Sequence, residues 1–231
     1  MNNLKEKTNN TVLEIFCDAS IKNFSNGRQF GCAGAIAVIN GSTQAGSLLR
    51  VLPDSTNNKS EITAIYLAVK LAHQIITNYG EVSKIIVYSD SKISVYGLKY
   101  WMDKWVEMMY NGVLYTPQGD RVKNQEIFIQ IYDFLARNNM KITLLHCKGH
   151  VNIIKQSSLI NAADVFYESN GFYPDKDLLI KVANYNNIID NQTRQHLDTV
   201  NPNMSNIILE NSGGEKMYHY VLPINWKDYI N

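Results

Sequence analysis

The sequence predicts an α/β fold: a mixed five-stranded sheet, antiparallel over its first three strands and flanked by helices, followed by a C-terminal extension. Three observations predict it. Three apolar segments come first, joined by turn signals of which Asn40-Gly41 is the strongest. Strands and helices then alternate, as in sheets that carry helices on both faces. The chain has 231 residues, 45% of them hydrophobic and 19% charged, which is enough to bury a core.

The strands are predicted where β-branched and apolar residues cluster between turn residues. The first ends at Asp18, and the second is rich in small residues, which allow a neighbouring element to come close. The third ends at Pro53, and the fourth is a buried type of strand that ends at Asp90. The predicted ranges are 12–17, 31–39, 44–52, 84–89 and 141–145.

The helices are predicted where apolar residues recur every three to four positions. The first follows a polar link rich in capping residues and carries Ile65, Ala68 and Ala72 on one face. The second is expected in two pieces, with a break near Gly97. The predicted ranges are 61–76, 93–110, 122–137 and 159–169.

The two ends of the chain differ from its middle in composition and in hydrophobic pattern. We expect residues 1–10 to form a polar N-terminal tail, residues 11–172 the main domain, and residues 173–231 an extension of unknown role. Within the extension we expect a helix from Asp175 to Ile189, an Asn-rich stretch, and a hairpin of 206–209 with 216–222. The change in texture predicts a separate small module.

Composition limits the class of protein. No apolar run approaches the roughly 20 residues of a membrane-spanning helix, and the first residues lack a signal peptide's apolar segment, so we expect a soluble, cytoplasmic protein with no membrane partner. Cys17, Cys32 and Cys147 are odd in number and lack metal-type spacing, which predicts reduced, packed side chains. The net charge is +1, so local groups must hold any polyanionic partner. The oligomeric state is not predicted.

Four acidic residues occupy positions where a carboxylate is costly. Asp18 and Asp90 end strands, Glu61 opens the inward stripe of a helix, and Asp164 is in line with apolar residues on another helix. If the two strands are neighbours, Asp18 and Asp90 emerge side by side at the sheet edge where α/β proteins have their sites. Converging carboxylates predict a Mg²⁺ site. Each acid taken alone also fits a helix cap, a turn acceptor or a surface ion pair.

Eight short segments occur in the order and approximate spacing of a known family. They are residues 13–20 (LEIFCDAS), 34–36 (GAI), 56–61 (TNNKSE), 88–91 (YSDS), 101–105 (WMDKW), 122–124 (VKN), 148–150 (KGH) and 161–164 (NAAD). On these motifs, which span residues 12 to about 170, the chain resembles the type 1 branch of the ribonuclease H family. The resemblance implies the ribonuclease H-like sheet and an endonuclease that hydrolyses the RNA strand of RNA–DNA hybrids.

The resemblance also implies how the site works. Asp18, Glu61, Asp90 and Asp164 would hold two Mg²⁺ ions, with Asp18 bridging them and Mn²⁺ as a substitute. In such two-metal sites the ions lie roughly 3.5–4 Å apart and act on the attacking water and the leaving 3′ oxygen. The products are a 5′-phosphate and a 3′-hydroxyl. His150 matches a family histidine that positions water or assists product release, whereas a lone loop histidine is usually only solvated.

Substrate contacts are implied at seven residues, namely Ser20, Thr56, Asn57, Asn58, Lys59, Lys92 and Trp101. The asparagine pair would contact the minor groove, where 2′-hydroxyls distinguish RNA from DNA, although helix capping explains the same residues. The family resemblance implies that residues 99–110 form a ridge that grips the DNA strand. This ridge has few basic residues, since it carries only Lys99 and Lys104, against two acids. We therefore hypothesise that the extension, or a protein partner bound through it, supplies part of the substrate affinity.

Two other functions stay open from the sequence. Integrase-like or exonuclease-like enzymes of the same fold arrange their acids differently; here the glutamate lies between the first two aspartates, which favours ribonuclease H. A non-catalytic nucleic-acid-binding module would be free to lose an acid, and all four are present. The biological process, the cut-site preference and the metal preference are not predicted.

Overall fold

The computed structural model describes residues 11–41, 43–201 and 225–231, and it contains the predicted sheet. The strands are β1 (Val12–Asn23), β2 (Gln29–Ile39), β3 (Thr43–Pro53), β4 (Lys84–Ser89) and β5 (Thr143–His146). They lie side by side in the order β3-β2-β1-β4-β5. β2 pairs antiparallel with both β1 and β3, whereas β4 is parallel to β1 and β5 is parallel to β4. The mixed five-stranded sheet is confirmed.

Six helices surround the sheet within the described ranges: α1 (Asn57–Tyr79), α2 (Lys92–Tyr96), α3 (Met102–Glu107), α4 (Gln125–Arg137), α5 (Gln156–Asn170) and α6 (Lys176–Asp198). A π-helical turn, Gly97–Trp101, joins α2 to α3 where the sequence predicts a break, and a 3₁₀ turn spans Trp226–Asp228. None of the helices in these ranges is both long and apolar enough to cross a membrane.

Successive side chains of β1 point to opposite faces of the sheet, so the strand serves two cores. Leu13, Ile15 and Cys17 are fully buried in the larger core, which includes the apolar face of α1. Phe16 belongs to the other core and stacks on Tyr185 of α6, with ring centroids 4.7 Å apart. Asp18, an even-numbered residue like Phe16, therefore lies on the α6 face.

Helix α6 packs on β1 and β2 and can do so because β2 is rich in small residues. A Cβ atom at Gly34 would lie 2.8 Å from side-chain atoms of Ile189 and Thr193 in α6 and of Leu49 in β3. Gly34 pairs with Asp18 across the β1–β2 ladder. The small residues of β2 are expected to let a neighbouring element come close. That element is α6, and it approaches β2 directly beside Asp18.

The C-terminal part of the chain joins the core of the domain. Ile230 forms a parallel bridge with Ile142, and Trp226 and Tyr229 are buried in the larger core. The sequence predicts a separate small module for this part of the chain. In the structure, the apolar residues of α6 and of residues 225–231 instead pack against the rest of the domain. The polar tail at 1–10 and the hairpin at 206–222 lie outside the described residues.

Candidate active site

Asp18 and Asp90 lie side by side, as predicted, because β1 and β4 are parallel. Cys17 and Ser89 are the last register pair of this ladder, so the next residue of each strand is one of the two aspartates. Asp18 is only 6% exposed, and its Oδ1 accepts a hydrogen bond of 2.6 Å from the backbone N–H of Ala19. The parallel pairing therefore delivers one buried and one partly buried carboxylate to one point of the sheet edge.

Glu61 is oriented by two helix N-termini. Thr56 caps α1, since its Oγ1 accepts a hydrogen bond of 3.3 Å from the N–H of Lys59. One turn into α1, Glu61 Oε1 accepts a hydrogen bond of 2.7 Å from Asn57 Nδ2. Its Oε2 accepts a hydrogen bond from Ser91, which also caps α2. Because Ser91 follows Asp90 directly, these bonds tie Glu61 to the end of β4.

The three carboxylates destabilise one another in the absence of a cation. Burial raises the pKa of Asp18 to about 9, and the charge of Asp90 adds to this effect. Burial likewise raises the pKa of Asp90, against hydrogen bonds from Asn186 and Asp18 and the charge of His150, which lower it. Burial also raises the pKa of Glu61, while hydrogen bonds from Ser91 and Asn57 favour its charged form.

The donor set fits a hard divalent cation. Mg²⁺ and Mn²⁺ prefer carboxylate and amide oxygens, and Asp18, Glu61 and Asp90 supply carboxylates at a buried point where charge is costly. Within the described ranges no three His, Cys, Asp or Glu side chains are already spaced to hold one ion. Binding would therefore require these side chains to turn toward a common centre.

Asp164 is not brought to these three residues. It is exposed on α5, where its Oδ1 accepts a hydrogen bond of 3.5 Å from Tyr173. The buried residues of α5 are Ala162, Phe166 and Ser169, so the face that carries Asp164 points to solvent. The helix face that the sequence predicts to be inward is therefore the outward one, and the role of Asp164 as a metal ligand stays a prediction.

Helix α6 brings two polar residues that the sequence analysis does not select. Asn186 Nδ2 donates a hydrogen bond of 3.4 Å to Asp90 Oδ2, and the Asp190 side chain is close enough to raise the pKa of Asp18. Both are buried, at 2% and 8% exposure. The predicted helix ends at Ile189, one residue before Asp190. Extending the 3.6-residue period by one turn puts Asp190 on the buried stripe and would identify it.

His150 lies beside the site on the loop after β5. Its Nδ1 is 3.5 Å from Asp190 Oδ2, and its side chain is 67% exposed, so the ring has access to water and to a carboxylate at once. The preceding Gly149 has no room for a side chain because a Cβ there would overlap Asp90 Oδ2. The Lys-Gly-His segment thus passes directly over Asp90, in agreement with its expected place at the site.

The predicted substrate residues divide into exposed and covered groups. Thr56, Asn57, Asn58 and Lys92 are exposed, and Lys59 and Trp101 are partly exposed. Ser20 is covered by α6, with its Oγ 2.8 Å from Thr193 Oγ1. In the ridge, Lys99 Nζ donates a hydrogen bond of 3.0 Å to the Leu144 carbonyl, which leaves Lys104 as the exposed lysine of that segment.

A comparison with protein families decides the classification. A family model described as RNase H matches residues 10–165, which is more than half of the chain. The chain belongs to the RNase H family. The match ends before α6 and is to the family as a whole, so the type 1 branch stays a prediction.

Two curated proteins, both named Ribonuclease H, are similar in sequence to this RNase H family member. The Ribonuclease H of Neorickettsia sennetsu is 26% identical over 88 residues, which cover 38% of this chain and 52% of that protein. The Ribonuclease H of Rickettsia akari is 27% identical over 99 residues, covering 43% of this chain and 57% of that protein. The chain spans about half the length of the curated relatives it matches.

Solved structures resemble the RNase H part of the chain more distantly. A foamy viral protease–reverse transcriptase in complex with an RNA/DNA hybrid overlaps at a TM-score of 0.48 with 16% identity, covering 68% of this chain and 19% of that one. LC11-RNase H1 in complex with an RNA/DNA hybrid overlaps at a TM-score of 0.42 with 14% identity, covering 70% of this chain and 96% of that one.

Proposed function

We propose that the protein is an endoribonuclease that hydrolyses the RNA strand of RNA–DNA hybrids, using two Mg²⁺ ions, with Mn²⁺ as a substitute, and leaving a 5′-phosphate and a 3′-hydroxyl. The observation that carries the proposal is the pair of the buried Asp18 and the partly buried Asp90, with Glu61 tied to the same point through Ser91. Membership of the RNase H family supports the same conclusion.

The chain's own residues have distinct tasks in this proposal. Asp18, Asp90 and Glu61 hold the cations, which supply an activated water and charge stabilisation for the leaving oxygen. The N–H of Ala19 fixes the Asp18 carboxylate, and Asn57 and Ser91 fix Glu61. Such fixed orientation matters because in-line displacement depends on the alignment of attacking and leaving oxygens.

Selection of a hybrid over duplex DNA is assigned to the exposed start of α1. Asn58 is exposed there, beside the Asn57 side chain that holds Glu61. A minor-groove contact from this position reaches 2′-hydroxyls, which duplex DNA lacks. The same short segment would then read the sugar and orient a carboxylate, coupling substrate choice to the site.

Substrate affinity is expected to be modest and sensitive to salt. Lys99 is bonded to a backbone carbonyl, and of the basic residues of the extension, Lys181 and Arg194 pair with Glu14 and Asp190. Fewer lysines and arginines are therefore available for phosphates, and each phosphate contact adds to the salt-dependent affinity. A protein partner that supplies further contacts remains part of the proposal.

The test uses three labelled duplexes of one sequence: an RNA–DNA hybrid, duplex DNA and duplex RNA. Each is incubated with the full chain in Mg²⁺, in EDTA, and with the Asp18→Asn variant in Mg²⁺. Cutting of the hybrid's RNA strand alone, abolished by EDTA and by the variant, supports the proposal. Hybrid binding without any cutting would contradict it and favour a non-catalytic module, and cutting of duplex DNA would favour another nuclease of this fold.

A further inference from the structure

Resting on the proposed function, we propose that Asn186 of α6 is a positioning residue that holds the Asp90 carboxylate in the orientation that the divalent-ion site needs. Asn186 lies outside the part of the chain that matches the RNase H family model, which ends at residue 165. The proposal rests on the burial of the Asn186 amide, on the packing that keeps it in place, and on the other contacts of Asp90.

The Asn186 amide is a polar group on the apolar face of α6. The residue is 2% exposed, and the buried residues about one turn before and after it are Val182 and Ile189. Burying an amide is costly unless it forms hydrogen bonds. Among the described residues, its Nδ2 donates one hydrogen bond, of 3.4 Å, to Asp90 Oδ2, and its Oδ1 accepts a long contact of 3.9 Å from Cys147 Sγ. This buried donor is therefore directed at a carboxylate of the site.

Packing on both sides of Asn186 keeps α6 in register with the sheet. The ring of the preceding residue, Tyr185, stacks on Phe16 of β1 with centroids 4.7 Å apart. About one turn later, Ile189 fills the space that Gly34 of β2 leaves open, since a Cβ there would lie 2.8 Å from Ile189 Cδ1. A helix displaced along the sheet would lose both contacts, so the Asn186 amide has a fixed position relative to the strand ends.

Asp90 is restrained at its backbone as well as at its side chain. Its carbonyl oxygen lies 3.2 Å from Nε2 of His146, whose Nδ1 lies 2.8 Å from Ser169 Oγ of α5. Gly149 passes so close to Asp90 Oδ2 that a Cβ at this glycine would overlap it. These contacts set where Asp90 lies, and the hydrogen bond from Asn186 sets how its carboxylate is turned.

A neutral donor suits this place better than a charged one would. The amide of Asn186 orients the Asp90 carboxylate and favours its ionised form, and it brings no positive charge that would compete with a bound cation. Loss of a hydrogen bond to a ligating carboxylate commonly lowers metal affinity or activity by about ten- to a hundredfold. We therefore expect a divalent ion to bind more weakly without this donor, even when the fold is intact.

The test measures the binding of Mn²⁺ alone to the full chain by titration calorimetry. Asn186→Ala removes the donor without overfilling the space and should weaken Mn²⁺ binding about tenfold or more. Val182→Ala, which truncates a buried apolar side chain one turn earlier in α6, is the matched control. It should lower the melting temperature, because it leaves a cavity, yet change the Mn²⁺ affinity by less than about twofold.

Hybrid cleavage gives a second readout, because the positioning role affects the metal dependence and not the binding of the hybrid. In Asn186→Ala the Mg²⁺ concentration for half-maximal cleavage should rise about tenfold, while the KM for the hybrid at saturating Mg²⁺ changes less than about twofold. Asn191→Ala, at an exposed position of α6, should match the parent in both quantities. Val182→Ala should show neither shift, which separates positioning from a loss of stability.

Several results would overturn the inference. Unchanged Mn²⁺ affinity in Asn186→Ala contradicts it, and so does an equal loss of affinity in Asn186→Ala and Val182→Ala. If Asn186→Ala fails to fold, as judged by circular dichroism, the side-chain amide resonances of the parent decide. Those of Asn186 should shift as the protein is saturated with Mg²⁺, and unshifted resonances contradict the inference.

The same measurements separate this inference from the proposed function. A chain that binds Mn²⁺, with weaker binding in Asn186→Ala, but cuts no hybrid contradicts the proposed function alone. A chain that cuts the hybrid while Asn186→Ala keeps the parent's Mn²⁺ affinity contradicts this inference alone. A parent that binds no Mn²⁺ contradicts both.

Discussion

At the scale of single residues, Gly149 leaves the space that the Asp90 carboxylate occupies. Any Cβ at this position would overlap Asp90 Oδ2, so the loop can pass over the end of β4 only with glycine there. The φ angle of His150, the next residue, is +53°, which is unusual for a side-chain-bearing residue and shows how tightly the loop turns. The site thus depends on a backbone contact as well as on its carboxylates.

Gly149→Ala should therefore reduce activity about tenfold or more by displacing Asp90, since misplacement of a reacting group by about 1 Å has effects of that size. Hybrid cleavage at saturating Mg²⁺ measures it. Gly46→Ala is the control, because a Cβ there would meet only Leu71 Cδ1 at 3.4 Å, an ordinary contact. Equal activity in both variants would show that Asp90 does not need its observed position.

Asp18 should make the metal-free protein less stable as the pH rises. Its pKa is raised by burial, from an ordinary value of 3.8 to about 9. The folded state therefore holds a proton that the unfolded chain releases, and its contribution to stability, complete below about pH 4, is lost as the pH rises toward 9. In EDTA, melting temperatures between pH 5 and 9 should fall with pH.

The Asp18→Asn variant should flatten this fall and, at pH 8 in EDTA, be about 1–2 kcal/mol more stable than the parent, while losing activity. Urea unfolding gives the free energies. The Asp177→Asn variant serves as a control that removes an exposed carboxylate of the same chain. A parent whose stability is independent of pH in EDTA would contradict the assigned desolvation of Asp18.

At the scale of elements, an ion pair between Glu14 and Lys181 contributes to the docking of α6 on β1. Both oxygens of Glu14 lie 2.7 Å from Lys181 Nζ, and the Tyr88 hydroxyl donates to Oε1 at 3.1 Å. The Glu14 side chain is 6% exposed and that of Lys181 25%. Removing one partner leaves a charge buried without compensation, which is more costly than replacing both.

Lys181→Met should lower the free energy of unfolding by about 2–4 kcal/mol, and adding Glu14→Gln should recover part of the loss. Urea unfolding at neutral pH measures both. Lys176→Met, at the exposed first residue of α6, should change stability by less than about 0.5 kcal/mol. If Lys181→Met is as stable as Lys176→Met, α6 does not rest on β1 as described.

Elements that follow from local pattern are predictable from this sequence. The fourth strand has the predicted bounds, and the break at Gly97 is present as a π-helical turn. The adjacency of Asp18 and Asp90 is also predictable, because it needs only that their strands be parallel neighbours. Local periodicity predicts the strand and the helix break because each depends on residues close in sequence.

Features that depend on which helix covers which face are not predictable in the same way. The stripe of α5 is weak, so its sequence alone does not say that Asp164 points to solvent while Ala162 and Phe166 point inward. The docking of α6 depends on Gly34, which lies about 150 positions away in the chain. A contact of that separation leaves no trace in helical periodicity, so the sequence does not show which face of the sheet α6 covers. Asp190 is missed because the predicted helix ends one residue too early, at Ile189.

At the scale of the whole molecule, the C-terminal part completes the domain. Without α6, the apolar residues Phe16, Ile36 and Val38 of β1 and β2 would lose their cover. Without residues 225–231, the buried Trp226, which contacts Tyr132 edge-on, would be missing from the larger core. We therefore expect α6 and residues 225–231 to contribute to folding.

A chain that ends at Tyr173 should lose cooperative unfolding, because burying such apolar area contributes more than the 5–15 kcal/mol of a typical net stability. Calorimetric melting of residues 1–173 tests this expectation. A chain that lacks only residues 1–10 is the control and should melt within a few degrees of the parent. A fragment 1–173 with the parent's melting transition would restore the interpretation of a separate module.

The carboxylates at the ends of β1 and β4, Asp18 and Asp90, are proposed to hold the divalent ions that promote hydrolysis of the RNA strand. Single-turnover cleavage of an RNA–DNA hybrid in Mg²⁺ by Asp90→Asn, measured beside His150→Ala, tests this claim most directly. Asp90→Asn should be slower than the parent by about a hundredfold or more, and His150→Ala should lose far less, because the first removes a ligand and the second an assisting group. Turnover by Asp90→Asn at the rate of the parent would contradict the claim.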